Sequence, residues 1–128
     1  MAAATKTATT VVASAANTAG STTRGRIDLQ TALGGNLTFK LTNGATGPTI
    51  QCTANVLVAH NATMPAAASA GVDWKTIYSV GSGITNNAIS EFSFPFGPEI
   101  MSLEIEFTGN TGQSVTVEAY CTTVTGIA

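Results

Sequence analysis

The side chains able to act as nucleophile or base near neutral pH are few: one histidine, His60, and two cysteines, Cys52 and Cys121. Nucleophilic catalysis needs a base within hydrogen-bond reach of a Ser, Cys or Thr. Cys52 and His60 form the sharpest pairing. They fall in one alternating run, where their spacing keeps them on one face yet more than about 25 Å apart along a strand. A His60–Cys121 pair would depend on a tertiary contact, and nothing nearby suggests an oxyanion hole, so His60 reads as a loop or interface residue. One His and two separated Cys do not fill a zinc tetrahedron without carboxylates from elsewhere. The acids Asp28, Asp73, Glu91, Glu99, Glu104, Glu106 and Glu118 form no Asp-rich calcium loop. Glu104 and Glu106 share a strand face, as a paired acid–base site would, but such a pair more often forms a solvated or partner-facing strip. No Gly-rich loop leads into a helix to cradle phosphate. The expectation is a chain that is not an enzyme and takes no metal and no cofactor. Sugar binding would use exposed aromatics, for which Trp74, Tyr78 and Tyr120 are the candidates. Trp74 suits core or interface filling better, because it buries so much apolar area.

The elements that would position these groups are strands. From Ala8 onward the dominant hydrophobic period is two. Expected strands run over 8–15, 23–30, 36–42, 50–58, 73–80, 89–96, 100–108 and 113–124. Leu37, Phe39 and Leu41 alternate with Thr38, Lys40 and Thr42; Leu103, Ile105 and Phe107 alternate with Ser102, Glu104 and Glu106. Turn signals separate the runs: Gly34-Gly35-Asn36, Asn43-Gly44, Gly47-Pro48, Asn86-Asn87, and Gly109-Asn110-Thr111-Gly112, which reads as a hairpin. The Ala-rich stretch 62–71 is a loop, because Pro65 disfavours helix in the residue before it. About eight strands with no convincing helix predict an all-β, two-sheet antiparallel sandwich, jelly-roll-like. An immunoglobulin-like topology is the rival. Residues 1–7 lack apolar periodicity and are expected to form a flexible arm ahead of a single domain over 8–128.

Composition limits the partners. With a net charge of −2 and Lys6, Arg24, Arg26, Lys40 and Lys75 scattered along the chain, there is no footprint for nucleic acid. No apolar run approaches the roughly 18 residues that span a bilayer, and no basic helix suits a membrane surface. The start, Met1-Ala2-Ala3-Ala4-Thr5-Lys6, shows no signal-peptide pattern, so synthesis in the cytoplasm with reduced, buried cysteines is expected. A disulfide between Cys52 and Cys121 would need Cα atoms within about 7 Å. Only 9% of residues are charged, against roughly 25% in typical soluble domains. A surface of hydroxyls and amides desolvates far more cheaply than one of ions, which favours a protein packed against copies of itself or another protein.

Two segments, Leu41-Thr42-Asn43-Gly44-Ala45-Thr46-Gly47-Pro48-Thr49 and Phe107 through Ala119, resemble parts of small tailed-bacteriophage virion proteins of the capsid decoration (cement) type. The likeness runs from about Thr10 to Tyr120 as texture rather than as a motif. It implies a jelly-roll-like sandwich that trimerises and clamps the major capsid protein on the virion surface, after assembly in the host cytoplasm. Expected contacts are the arm (Ala2, Ala3, Ala4, Thr5, Lys6 and Thr7), the 62–71 loop with Pro65, and Trp74 beside it. The alternatives are a tail, baseplate or head-fibre subunit that binds a receptor glycan, and a carbohydrate-binding module.

Overall fold

Eight strands account for most of the chain in the computed structural model, which describes residues 3–67 and 71–127. They are β1 (Ala4–Asn17), β2 (Thr23–Asp28), β3 (Gly34–Asn43), β4 (Thr53–Ala59), β5 (Lys75–Gly81), β6 (Ile89–Phe96), β7 (Ser102–Thr108) and β8 (Val115–Ile127). Two four-stranded antiparallel sheets face each other, in the orders β1-β8-β3-β6 and β2-β7-β4-β5. This interleaving of the first and last strands is the jelly-roll arrangement, so the expected all-β sandwich is the fold observed.

The inner faces meet as the alternation requires. Leu37, Phe39 and Leu41 of β3 and Val115, Val117, Ala119 and Cys121 of β8 pack against Ala54, Val56 and Val58 of β4 and Leu103, Ile105 and Phe107 of β7. Phe39 joins the layers, with ring centroids 5.6 Å from Phe92 and 6.4 Å from Phe107. The sandwich closes differently along its two long sides. Beside β1 and β2 the backbones nearly touch: a Cβ on Gly25 would sit 2.3 Å from the Val11 carbonyl oxygen, so only glycine permits the approach. Beside β5 and β6 the gap is filled by side chains, with Tyr78 and Phe94 at 5.9 Å.

Four expectations change. Ala4 to Thr7 are not an arm but the start of β1, paired to β8 from Ala4–Ile127 onward. Both faces of this edge segment are exposed, so it carries no apolar period, yet alternate β-branched threonines favour an extended chain. Ala2 lies outside the described residues. The 109–112 turn is not a hairpin, because β7 and β8 belong to opposite sheets; it carries the chain across the sandwich with Gly109 and Gly112 at φ 92° and 82°. A register shift in β4 at Val56/Leu57 leaves Ile77 without a partner in the ladder. Beyond it the side-chain parity of β5 reverses, so Trp74 and Tyr78, which an unbroken strand over 73–80 would place on one face, do not share it.

The last change concerns Leu57 and Trp74. Leu57 points away from the main core yet is fully buried, in a second cluster with Ala59 and Trp74 on which Met64 packs. Residues 64–66, between β4 and β5, fold back over the outer face of their sheet. Trp74 is 2% exposed, and its Nε1–H donates to the Ala66 carbonyl at 2.8 Å. A side chain so enclosed offers no surface to a partner, and Trp74 is withdrawn from the expected contact residues.

The cysteines are free and buried in the main core. Burial pushes both thiols up to about 11; at Cys52 it outweighs opposing contacts with Thr108 and Asn17. A thiol-specific aromatic disulfide reagent at pH 8 is therefore expected to leave the folded protein unmodified and to react with both thiols in guanidinium chloride. Prompt reaction of either thiol without denaturant would contradict this packing. Because the folded pKa lies above the unfolded value near 9, the stabilisation from burying neutral thiols is complete below pH 9 and is lost as pH rises toward 11.

Candidate functional site

Neither of the His60–cysteine pairs considered for catalysis comes together. His60 is exposed at the end of β4, whereas Cys52 and Cys121 are 0% and 1% exposed within the core. Among the described residues no group of three or more His, Cys, Asp or Glu could hold a metal ion. Pro65 is half-buried in the covering loop, where its carbonyl accepts a hydrogen bond from Arg26.

Glu104 and Glu106 do share a face, but that face is covered. They are 0% and 6% exposed. Arg24 of the neighbouring strand lies between them, with Nε 3.5 Å from Glu104 Oε1 and Nη2 2.9 Å from Glu106 Oε2. Asn55 Nδ2 donates to Glu106 Oε1 at 3.0 Å, and Ser79 Oγ donates to Asn55 Oδ1 at 2.7 Å. Carboxylates held this way by fixed donors brace β2, β7, β4 and β5 against one another. They are not presented to solvent as an acid–base pair would be.

The surface that stands out is one end of the sandwich. Residues 18–22, 44–52, 82–88 and 109–114 connect β1–β2, β3–β4, β5–β6 and β7–β8, and the strand directions bring all four connections to the same end. None of these residues is charged. All twelve charged side chains (five basic and seven acidic) lie on strands or in the connections at the opposite end. The sequence contains this pattern as four uncharged gaps, but nothing in one dimension says that they converge.

These connections form one hydrogen-bonded unit. Asn17 and Asn110 exchange bonds between the first and last: Asn17 Nδ2 donates to Asn110 Oδ1 at 2.6 Å and Asn110 Nδ2 donates to the Asn17 carbonyl at 3.0 Å. Thr49 N–H donates to the Thr111 carbonyl at 2.8 Å, and Asn87 N–H to the Gly44 carbonyl at 2.8 Å. Asn43 Nδ2 reaches the carbonyls of Ser82, Gly83 and Thr85. Buried amides clamp these turns from beneath, so the end is preorganised. On and beside it stand Ile50, Ile84 and Ile89, which are 57%, 59% and 61% exposed. Covering each would remove roughly half a side chain from water, about 1 kcal/mol apiece.

Comparison with known proteins places the fold. The cleaved adhesin domain K3 of Lys-gingipain from Porphyromonas gingivalis superimposes with a TM-score of 0.52 at 11% identity, over 80% of this chain and 62% of that one. A subunit of the disulfide-linked pili of Bacillus endospore appendages gives 0.51 at 10%, over 96% and 90%. The VP2 protein of an infectious bursal disease virus subviral particle gives 0.51 at 13%, over 96% of this chain but 33% of that one. The likeness is one of fold. This chain thus spans less than two thirds of the adhesin domain and one third of VP2. No protein-family model and no curated protein matches the sequence.

Proposed function

We propose that this protein is a non-catalytic structural component of a virus particle, a decoration (cement) protein that binds the major capsid protein on the shell exterior, and that it does so through its uncharged loop end. The observation that carries the reading is the convergence of four charge-free, mutually clamped connections around exposed Ile50 and Ile84. A rigid apolar and amide surface loses little conformational entropy on docking and desolvates at low cost. Both properties suit a subunit that must seat many times on a repeating lattice. Assembly as a trimer follows from the family resemblance, and a cement subunit at a junction between shell proteins would bury a standard interface of about 1,200–2,000 Å².

Within β1, Ala4 to Thr7 form part of a sheet edge rather than an arm. Ala4, Thr5, Lys6 and Thr7 are paired on one side to β8, and on the other side this segment pairs with no strand of its sheet. In an oligomer that edge is the place for a neighbouring strand to add.

Quantitative mass spectrometry of purified particles of the encoding virus is the test. About one copy per shell subunit, and loss of shell binding by at least tenfold in Ile50→Asp/Ile84→Asp, are the expected results. A ratio of a few per cent would instead place the protein in the tail or fibres. Absence from particles would overturn the virion reading.

A further inference from the structure

We infer that the outer face of the β1-β8-β3-β6 sheet carries a binding site for one neutral sugar ring of a glycan, centred on Tyr120. This face is distinct from the loop end, so the site would remain open on a docked subunit.

The register builds it. Across the sheet, Tyr120 of β8 lies beside Thr38 of β3, and Thr38 beside Ser93 of β6; one step along, Glu118, Lys40 and Glu91 form a second row. Tyr120 and Thr38 of the first row and all three residues of the second line a shallow pocket of about 140 Å³ above Phe39, with Ser93 just beyond it. That volume is well under the roughly 300–1,000 Å³ of pockets that hold drug-sized ligands, so the site fits a single ring rather than a cofactor.

Its chemistry selects the ring. Tyr120 is 44% exposed, a large aromatic surface that is otherwise uncommon outside the core of this chain. Its hydroxyl donates to Glu118 Oε2 at 2.8 Å, which fixes the ring along the strand. An apolar ring surface with a polar rim matches a pyranose, whose C–H face packs on an aromatic while its hydroxyls reach outward. Glu91 and Glu118 offer only acceptors, Lys40 only donors, and the Thr38 and Ser93 hydroxyls, 3.3 Å apart, offer both. A polyol can satisfy all three kinds at once. Lys40 Nζ already stands 3.8 Å from Glu91 Oε1 and 3.9 Å from Glu118 Oε1, so it offsets one of the two carboxylate charges. The net charge of −1 left on these three groups disfavours phosphorylated, sulfated or sialylated sugars. The hydrogen bond to Glu118, which needs the phenol proton, raises the Tyr120 pKa, and the charge of the carboxylate adds to the effect.

The experiment is saturation-transfer NMR on the intact protein with glucan, mannan and galactan tetrasaccharides, a sulfated tetrasaccharide and an Arg-containing peptide as probes. At least one neutral tetrasaccharide should bind, at least tenfold more weakly to Tyr120→Ala and within threefold of the native affinity to Ile84→Asp. Circular dichroism would show that Tyr120→Ala remains folded, and a Glu91→Gln variant, altered only at an exposed rim, should bind two- to tenfold more weakly. Binding of no neutral saccharide, binding unaffected by Tyr120→Ala, or preference for the sulfated sugar or the peptide would each overturn the inference.

Discussion

Replacing Trp74 with alanine is expected to destabilise the protein by about 3 kcal/mol, toward the low end of the 3–5 kcal/mol typical of removing a buried large aromatic. The loss combines the indole's packing against Leu57, Ala59 and Met64 with its hydrogen bond to the Ala66 carbonyl. The low end applies because the cluster lies under a loop that can partly collapse into the space, unlike the rigid sheet pair around Phe39. Urea unfolding followed by far-UV circular dichroism measures it, since the chain has no other tryptophan to report the transition. Proteolysis within 60–67 should accelerate in the same variant, because residues 64–66 lose their anchor. Binding to shells should persist once the variant is refolded, for Trp74 touches no outer surface. A loss under 1 kcal/mol, or a selective loss of binding with stability intact, would show that Trp74 acts at the surface after all.

Arg24→Met is the second large effect, expected to cost about 2–3 kcal/mol. Breaking a fully buried ion pair typically costs about 3–5 kcal/mol, because it strands a charge away from water. The smaller figure reflects that the Arg24 side chain is 32% exposed, so solvent already screens part of the interaction. What the variant leaves behind is two carboxylates, Glu104 and Glu106, on one face of one strand with the cation between them gone. Adding Glu106→Gln should recover at least half of the loss, since the amide oxygen can still accept from Asn55 while one negative charge disappears. Denaturant midpoints of the two single variants and the double variant give the coupling directly. Additive losses would mean that Arg24 contributes through its aliphatic stem rather than its charge.

Both effects concern residues whose position, but not whose role, is legible from the chain. Strict alternation over Leu37–Leu41 and Leu103–Phe107 determines which side chains face inward, because the period of a strand is two and a slip of one residue would expose every one of them. The absence of any helical period, with turn residues between the runs, determines that strands must pack on strands. The scarcity of charge is likewise a property of composition alone, and it already favours a protein that works by contact.

Only the tertiary structure decided the rest, and the reason is the topology. In this jelly roll most consecutive strands lie in opposite sheets, so a turn motif such as 109–112 reports a change of direction without saying whether the chain pairs back or crosses over. Glu104 and Glu106 alternate outward as solvated residues would, yet they are buried, because β2 brings Arg24 between them and β4 brings Asn55 onto Glu106. Ala4–Thr7 lack a hydrophobic pattern because a sheet edge exposed on both faces has no inside to mark. The uncharged loop end and the Tyr120 pocket each gather residues that are distant along the chain. Alternation specifies the face of a strand; it does not specify which strand lies beside it, and a surface built from several strands exists only once that order is set.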